Sequence, residues 1–438
     1  MSNTNKKGLV PDLRFPEFEN SDSWNNEPLE DVYEFQVTNS LSRDKLNYNA
    51  GTVKNIHYGD IHTKFSTLFD IEKELVPYIN ATEPLGKIKK DCYCIEGDMV
   101  FADASEDLDD VGKSIEVVNL NNEKLVAGLH TLLARQKEAK LLVGFGGYLF
   151  KSNRLREQIK KEAQGAKVLG ISVGRMSKIE VAYPLDKKEQ QKIADCLSSL
   201  DDLITAHTQK HQALQSYKKG LLQNLFPAEG ETVPALRFPE FEDAGDWEEK
   251  LIVEIGEVVT GNTPSTSNRD YYGGNIMFAS PADISERRFV SKTSKTLSSE
   301  GLAIARKIPA HSILFVCIGS TIGKVAQNAY ECATNQQINV IIPFDEYENS
   351  FVYYALDFHS SEIAKLAGKQ AVPIINKTLF SSSVLIVPPE KSEQQKIADC
   401  LSSVDDLIAT QSQKIEELKA HKKGLIQKLF LSVDEVGA

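Results

Sequence analysis

Several short segments carry residues that could do chemistry, but none completes a catalytic motif. Residues 319–325 resemble a phosphate-binding loop, yet three residues separate the glycines instead of four. Val325 follows Lys324 at the point where a magnesium-binding hydroxyl is required. Residues 143–147, Val-Gly-Phe-Gly-Gly, lack the full dinucleotide-binding spacing. We therefore predict no nucleotide binding at these loops.

The signatures of nucleases, methyltransferases and zinc sites are equally incomplete. Glu138 and Lys140 fit a nuclease-like Glu-x-Lys, but no clear aspartate pairs with them. Cys92 and Cys94 lack a second ligand pair at zinc spacing. Methylating a base requires a pocket that holds it flipped out, and no Asn-Pro-Pro-aromatic or Asp-Pro-Pro-aromatic motif, similar to that of adenine methyltransferases, occurs here. The sequence predicts a non-catalytic chain without a metal or cofactor of its own.

The polar loops instead carry residue types that suit DNA recognition. Asn, Gln and Arg can bridge two atoms of one base edge, and cations with imidazoles suit phosphate positioning, although each stretch could equally be an ordinary solvated loop. In the first half of the chain the candidate DNA-binding residues are Arg43, Lys45, Asn47, Lys54, His57, Tyr58, His62, Lys64 and Lys113. In the second half they are Asn262, Thr263, Ser265, Thr266, Asn268, Arg269, Tyr271, Tyr272, Ser320, Lys324, Asn335, Gln336, Gln337, Lys369 and Gln370.

The composition is that of a globular protein, with 41% hydrophobic and 26% charged residues. The net charge of −12 argues against a simple nucleic-acid binder. Much of the acidity is expected in connectors, residues 17–34 and 103–110, and partners in an assembly can supply phosphate-binding charge. No signal peptide or membrane span is evident, and six cysteines in 438 residues do not indicate a disulfide framework. We expect a protein of the reducing cytoplasm.

An internal repeat is the strongest signal in the sequence. Residues 189–199 recur letter for letter at 393–403. Upstream of each copy, residues 11–19 match residues 234–242, and a tryptophan follows each of these segments. The order of boundary, domain and repeated segment occurs twice, so the chain is a tandem duplication.

The repeated segment has the periodicity of a coiled-coil helix, with apolar positions at alternating steps of four and three. The seam consists of Ile193, Leu197, Leu200, Ile204, Leu214, Leu221 and Leu225 in the first copy and of Ile397, Leu401, Val404, Ile408, Ile415, Leu418, Leu425 and Leu429 in the second. Lys218 and Lys422 continue it. His207, His211 and Gln411 are polar seam positions that can fix register, although the histidines could also serve a metal or a proton switch.

The connectivity predicts how the two helices pair. About forty helical residues are roughly 60 Å long, whereas a domain of about 150 residues is only some 40 Å across. To pack against the first helix within one chain, the second must run back. We predict an antiparallel coiled coil with one domain at each end, related by a pseudo-two-fold axis. The spacings Asp186 to Glu189 and Ser392 to Gln395 predict capping boxes at the helix starts.

The two domains are read as α+β and of common descent, because residues 97–103 and 111–113 parallel residues 311–317 and 322–324. The fold class is thus α+β, with two α/β domains separated by the long coiled coil. The boundaries place the first domain at 1–185, the first helix at 186–227, the second domain with a short linker at 228–389, the second helix at 390–431 and a tail at 432–438.

Several motifs together resemble the specificity subunit of type I restriction–modification enzymes, over nearly the whole chain. They are Leu-Arg-Phe-Pro-Glu-Phe, Gly-Asn-Thr-Pro-Ser, Tyr-Tyr-Gly-Gly, Gly-Ser-Thr-Ile-Gly-Lys and Pro-Pro-Glu-Lys-Ser-Glu-Gln-Gln-Lys-Ile-Ala. The resemblance implies two target-recognition domains, each reading one half of a bipartite DNA site. It also implies that the helices set the unread gap and dock two methyltransferase subunits.

The same resemblance assigns all chemistry to partner subunits. Modification subunits with S-adenosylmethionine would methylate adenine, and a motor-nuclease subunit using ATP and Mg would cut unmodified DNA. Two alternatives from other classes stay open. The chain could be a non-catalytic scaffold that gathers two copies of a protein partner, which its acidic charge favours, or a cryptic methyltransferase or nuclease, which the missing motifs disfavour.

Overall fold

The computed structural model describes residues 9–368 and 373–432. Lys369 and Gln370, predicted at the DNA interface, lie outside these residues. The chain divides into two compact units, unit 1 (Met1–Thr205 with Glu416–Ala438) and unit 2 (Ala206–Ile415). Each unit takes part of both long helices, so the domain limits drawn from the sequence, which give each helix a segment of its own, stay a prediction.

Unit 1 combines short strands and short helices. The strands are β1 (Asn25–Pro28), β2 (Tyr33–Gln36), β3 (Leu46–Asn47), β4 (Lys54–Ile56), β5 (Leu68–Asp70), β6 (Tyr78–Ile79), β7 (Met99–Ala102), β8 (Ala104–Ser105), β9 (Ser114–Asn119), β10 (Leu125–Ala127), β11 (Thr131–Gln136), β12 (Leu169–Gly170) and β13 (Glu180–Tyr183). The helices are α1 (Leu29–Val32), α2 (Tyr58–Thr63), α3 (Phe145–Leu149), α4 (Asn153–Glu162), α5 (Val173–Met176) and part of the first long helix, α6 (Lys187–Leu225).

A five-stranded sheet in the order β2-β11-β7-β9-β5 forms the centre of unit 1. All neighbours are antiparallel except β9 and β5, which are parallel. Every residue of β7 is buried, because its apolar run packs on both faces of the sheet. A second sheet, β10-β4-β6-β3, covers one side, and β1 pairs with β13, which brings the start of the domain to its end.

The start of unit 1 differs from the sequence expectation. Residues 17–34 were read as an acidic connector, but they include β1, α1 and the beginning of β2. Leu29 and Val32 of α1 are fully buried in the main core together with Ile193 and Leu197 of α6. The acidic side chains in this stretch alternate with core residues, so charge alone was a poor indicator of a connector here.

Unit 2 has the same kinds of elements. Its strands are β14 (Glu248–Leu251), β15 (Gly256–Thr260), β16 (Tyr272–Ala279), β17 (Phe289–Val290), β18 (Lys295–Leu297), β19 (Ile313–Val316), β20 (Val325–Asn328), β21 (Cys332–Thr334), β22 (Ile338–Pro343) and β23 (Val384–Val387). Its helices are α7 (Ile252–Ile255), α8 (Ser299–Ile304), α9 (Asn349–Lys365), α10 (Lys377–Ser381) and part of the second long helix, α11 (Lys391–Leu429).

The central sheet of unit 2 repeats that of unit 1 strand by strand. Its order is β15-β22-β19-β20-β17, and again only the last pair is parallel. In unit 1 Met99 pairs with Glu116, and at the same place in unit 2 Ile313 pairs with Gln327. The alignment of residues 97–103 with 311–317 is therefore confirmed. The outer sheets have diverged, since β10-β4-β6-β3 of unit 1 has four strands and β18-β16-β21 of unit 2 has three.

Both long helices are continuous over 39 residues. Within unit 1, Asp201 of α6 contacts Lys422 of α11, and within unit 2, Lys218 of α6 contacts Asp405 of α11. In unit 2, His207 of α6 meets Gln411 of α11 and Lys218 meets Asp405, so residue numbers rise along one helix as they fall along the other. This is antiparallel packing and confirms the coiled-coil fold class. None of the predicted seam residues is exposed.

Two of the three polar seam positions, His207 and Gln411, contact each other. In unit 2 the amide of Gln411 lies against His207 and donates to its backbone carbonyl at 3.0 Å. Among the described residues, no group of three or more His, Cys, Asp or Glu side chains is placed to hold a metal ion.

The repeated segment upstream of each domain packs on the start of a long helix. In unit 1 Arg14 donates to both carboxylate oxygens of Glu189, each at 2.7 Å, and Trp24 Nε1 lies 3.3 Å from the same carboxylate. In unit 2 Arg237, Glu393 and Trp247 repeat this arrangement at 2.8 Å, 2.8 Å and 3.2 Å. We call each set an Arg–Glu–Trp cluster. Both carboxylates are buried, so each depends on its arginine for charge compensation.

Neither capping box predicted at the helix starts is complete, although Asp186 Oδ1 accepts from the backbone N–H of Lys188 at 2.8 Å. Glu189 is engaged by Arg14 and Trp24 instead of turning back to cap its helix. The second helix begins at Lys391, so Ser392 lies inside it. The spacing was correct for a cap, but a partner far away in the sequence takes the carboxylate.

Candidate DNA interface

The basic residues of the first domain's loops gather around one buried carboxylate. Arg43 donates to both oxygens of Asp60, at 2.7 and 2.9 Å, and Lys64 Nζ lies 3.0 Å from Oδ1. Burial opposes ionisation of Asp60, but the hydrogen bonds from Arg43 and Lys64 outweigh it and lower its pKa. Lys64 also lies over the ring of Tyr48. The side chains of Arg43 and Lys64 remain nearly half exposed, so both cations face solvent while Asp60 holds them in place.

An aromatic and imidazole group lies beside this cluster. The ring of Tyr58 is 4.7 Å from His57, 6.2 Å from His62 and 5.4 Å from His130, measured between centroids. Burial, followed by the positive charge of Arg43, lowers the pKa of His57. His130 was missed from the sequence. It stands alone before β11, and only its left-handed backbone (φ 56°) and the fold bring it to Tyr58.

The remaining candidates of the first domain hold its loops together. Lys113 Nζ donates to the carbonyl of His62 at 2.8 Å. The other three pair separately, as Lys45 with Glu83, Lys54 with Glu123 and Asn47 with Asn80. The structure therefore brings Arg43, His57, Tyr58, His62 and Lys64 into one surface and gives Lys45, Asn47 and Lys54 supporting contacts.

In the second domain, two of the predicted polar loops meet. Thr263 Oγ1 donates to Oε1 of the exposed Gln336 at 2.6 Å. Gly261 permits this approach, because a Cβ there would lie 2.2 Å from Thr334 Oγ1 and 2.3 Å from the carbonyl of Asn335. Asn335 donates its amide to Gln337 at 3.0 Å. The loop amides are thus oriented by neighbours rather than free to rotate.

A basic residue that the sequence analysis missed joins these loops. Asn262 Oδ1 accepts from the backbone N–H of Arg306 at 2.8 Å, and the Arg306 side chain reaches the carbonyl of Thr260. Lys307 follows it and is exposed. Neither residue lies in a recognisable motif, and both come to this surface because α8 ends beside the loop.

The segment after Gly261 forms its own turn. Asn268 caps the short 3-10 helix Arg269–Tyr271 by accepting from Asp270 N at 3.1 Å. Tyr272 Oη donates to the carbonyl of Pro264 at 2.6 Å. Ser265 bonds to Ser267, and Thr266 is exposed. The turn therefore has a defined shape, with Arg269 exposed on it.

Ser320 and Lys324 belong to the turn between β19 and β20. Lys324 is exposed and donates to the carbonyl of Ile284 at 3.2 Å. It lines a groove of about 490 Å³ together with Lys218, Glu286 and Asp357. Gly323 adopts a left-handed backbone (φ 92°), as Gly112 does (φ 65°) before Lys113. The Gly-Lys turn is thus a shared structural feature of the two domains.

Comparison with known proteins identifies what this pair of domains is. The family model described as type I restriction modification DNA specificity domain matches residues 21–216 and again residues 244–420. The chain belongs to this family. Each match contains one complete central sheet and most of the long helix that follows it. The family is the one that the sequence motifs resembled.

Individual family members align over long stretches. The putative type I restriction enzyme MjaX specificity subunit of Methanocaldococcus jannaschii is 24% identical over 433 residues, covering 93% of each chain. The type I restriction enzyme HindI specificity subunit of Haemophilus influenzae is 28% identical over 306 residues. That match spans 55% of this chain and 66% of the Haemophilus protein, just under two thirds of its length.

Solved structures of the family share the fold. The S subunit of a type I restriction-modification system from M. genitalium has a TM-score of 0.62 at 13% identity, covering 97% of this chain and all of that one. A chain from a study of complex assembly and conformational transition of the type I R-M system has a TM-score of 0.57 at 15% identity, covering 94% and 98%. In the described part of this chain, no helix is long and apolar enough to cross a membrane.

Proposed function

We propose that this chain is the DNA sequence-specificity subunit of a type I restriction–modification complex, in which each domain reads one half of a bipartite site. The observation that carries the proposal is the double family match, with one central sheet of the same topology in each match. The sheets are alike, whereas the polar loops differ in composition. Two similar frames with different loops suit two unlike half-sequences.

The loops offer different chemistry to each half-site. In the first domain, Arg43 and Lys64 on Asp60 and the imidazoles around Tyr58 suit phosphate and mixed base contacts. In the second domain, Gln336 held by Thr263 presents a fixed amide, the group that suits an adenine edge. We propose that these two surfaces each recognise one of the two half-sequences.

We further propose that the long helices set the unread gap and dock two methyltransferase subunits. The support is the repetition itself, because a surface that occurs twice in one chain suits two copies of one partner. S-adenosylmethionine, ATP and Mg would be bound by the modification and motor-nuclease subunits, and this chain would be their non-catalytic reader.

The charge distribution predicts how the isolated chain behaves. The net charge is −12, and Arg43, Lys45 and Lys54 are each paired with a carboxylate. Since affinity for DNA grows with the number of phosphates neutralised, the chain alone should bind DNA weakly. Partner subunits would supply the missing positive charge.

The test is to map methylated adenine genome-wide in cells with the full set of subunits, with this gene present and absent. The expected result is a split sequence methylated only when the gene is present. Replacing only residues 228–389 with a family relative's second domain should change one half-sequence and leave the other unchanged. If the complex methylates with no sequence preference, the proposal is wrong.

The acidic charge favours one other function, a scaffold that gathers two copies of a protein partner and touches no DNA. Footprinting of the purified complex separates the two. Protection of two short tracts separated by an unprotected gap supports the specificity subunit, and a complete absence of protection supports the scaffold.

A further inference from the structure

The same three residue types meet once in each unit, at the contact between a domain and both long helices. In unit 1, Tyr148 of α3 donates to Asp201 Oδ2 at 2.7 Å, and Lys422 donates to Asp201 Oδ1. The Lys422 ammonium lies 5.0 Å from the Tyr148 ring centroid. Tyr148 is fully buried, so its hydroxyl has a defined position. We call these residues the first Tyr–Asp–Lys triad.

The second triad repeats the first atom by atom within unit 2. Tyr354 of α9 donates to Asp405 Oδ2 at 2.6 Å, and Lys218 Nζ lies 2.7 Å from Asp405 Oδ1. The ammonium of Lys218 lies 5.3 Å from the Tyr354 ring centroid. The aspartate divides its two oxygens between tyrosine and lysine in the same way in both units. The recurrence follows from the duplication, because the aspartates and lysines occupy equivalent positions of the repeated helix and each tyrosine lies three residues after a phenylalanine, Phe145 or Phe351.

Each triad joins three separate parts of the chain. The tyrosine belongs to a domain, the aspartate to the long helix that follows that domain, and the lysine to the other long helix. Each long helix therefore gives its aspartate to one triad and its lysine to the other. In unit 2, Lys218 and Asp405 have side-chain exposures of 16% and 17%, so this ion pair is better shielded than a surface pair.

The apolar seam cannot by itself fix how the helices are aligned. Its pattern repeats every seven residues, so a slip of one heptad again places apolar residues against each other. Such a slip, about 10 Å along the helix, would separate both aspartates from their lysines. The polar side chains therefore discriminate between alignments that the seam tolerates.

Resting on the proposed function, we propose that the two Tyr–Asp–Lys triads are positioning residues that fix the gap between the two half-sequences. The Arg–Glu–Trp clusters attach each domain to the start of its own helix, so a slip of one helix along the other would change the gap the domains can span. The triads prevent the slip by engaging both helices and the domain at one carboxylate.

The test uses the full complex in cells and maps methylated adenine for variants of the second triad. Lys218→Met and Tyr354→Phe should keep both half-sequences but raise methylation at non-native gaps roughly tenfold, which corresponds to about 1.4 kcal/mol. Lys219→Met, which alters the adjacent exposed lysine, is the matched control and should keep a single gap. Exchanging the charges in Lys218→Asp with Asp405→Lys should restore the single gap.

The outcomes separate this inference from the proposed function. If the unaltered complex methylates no split sequence, the proposed function fails. If it methylates one, and the triad variants keep a single gap while only their thermal stability falls, the triads are structural and the inference is overturned. If Lys218→Met abolishes methylation altogether, the other two variants decide. The inference is overturned if Tyr354→Phe keeps a single gap and the charge exchange does not restore one.

Discussion

The two units share the same central sheet, but different side chains hold the tyrosine of each triad in place. In unit 1, Glu116 of β9 accepts from the backbone N–H groups of Gly144 and Gly147 at the start of α3, the helix that carries Tyr148. The equivalent residue in unit 2, Gln327 of β20, accepts from Arg288 at 2.7 Å, and Arg288 reaches Tyr354 itself at 3.1 Å.

This difference shows what duplication has preserved. The sheet order, the Arg–Glu–Trp clusters and the triads are alike in both units. The layer behind them uses a buried carboxylate in one unit and a buried guanidinium in the other. The position of the tyrosine against the helices has thus been kept, while the residue types that stabilise it have changed. This is expected where different side chains can hold one tyrosine in the same place.

The largest expected effect tests the feature that the units share. Arg14→Met leaves the buried Glu189 without its partner, which should cost about 3–5 kcal/mol in the unfolding free energy of unit 1, and Arg237→Met should do the same in unit 2. The two tryptophans, Trp24 and Trp247, report each unit by fluorescence during urea unfolding.

The matched control is Lys192→Met, whose pair with Glu17 is about half exposed, so its loss should change the unfolding free energy little. A cost for Arg14→Met no greater than that of the control would contradict the assignment. Unequal costs for Arg14→Met and Arg237→Met would show that the two clusters are not equivalent.

The second-largest expected effect concerns Glu116, the buried carboxyl that unit 1 has where unit 2 has Gln327. Burial raises the pKa of Glu116 to about 7, against the two backbone hydrogen bonds that lower it. Its folded pKa lies above the ordinary value of 4.5, so the native state keeps a proton that the unfolded chain has released. Stability of unit 1 should therefore fall as the pH rises from about 4.5 to 7, by an amount on the order of 3 kcal/mol.

Glu116→Gln should remove this contribution to the pH dependence, because the amide does not titrate. Trp24 fluorescence during urea unfolding at pH 5 and pH 7 measures the change, with the exposed Glu138→Gln as control. Burial also lowers the pKa of Lys151 to about 7, but that group affects stability only above pH 7. Equal midpoints at both pH values in the unaltered protein would refute the prediction.

The smallest effect concerns the support in unit 2. Arg288→Met removes charge-assisted hydrogen bonds to Gln327, Tyr354 and Ser402, which should cost about 1.5–3 kcal/mol in unit 2 and nothing in unit 1. Trp247 reports the change, and Arg287→Met, at the adjacent exposed position, is the control. An equal loss with both variants would mean that Arg288 has no special role.

Some features could be predicted because they depend on local spacing. The heptad rhythm gave the long helices, and the parallel between residues 97–103 and 311–317 identified β7 and β19 as equivalent strands. Other features could not. His130 reaches Tyr58, and Arg306 reaches Asn262, through loops whose course depends on the sheets beneath them. The partner of Glu189 lies 175 residues away, which no spacing rule could indicate.

The amino-acid sequence by itself determined the duplication, the two long helices and their apolar seam, because periodicity and identity are properties of neighbouring residues. Only the tertiary structure decided which polar groups meet. Tyr148 and Tyr354 lie in helices of 5 and 17 residues that have little sequence in common beyond a phenylalanine three residues before each tyrosine, yet both donate to the same oxygen of equivalent aspartates. The physical reason is that hydrogen-bond partners are selected by position in space, and strand pairing and helix packing set that position.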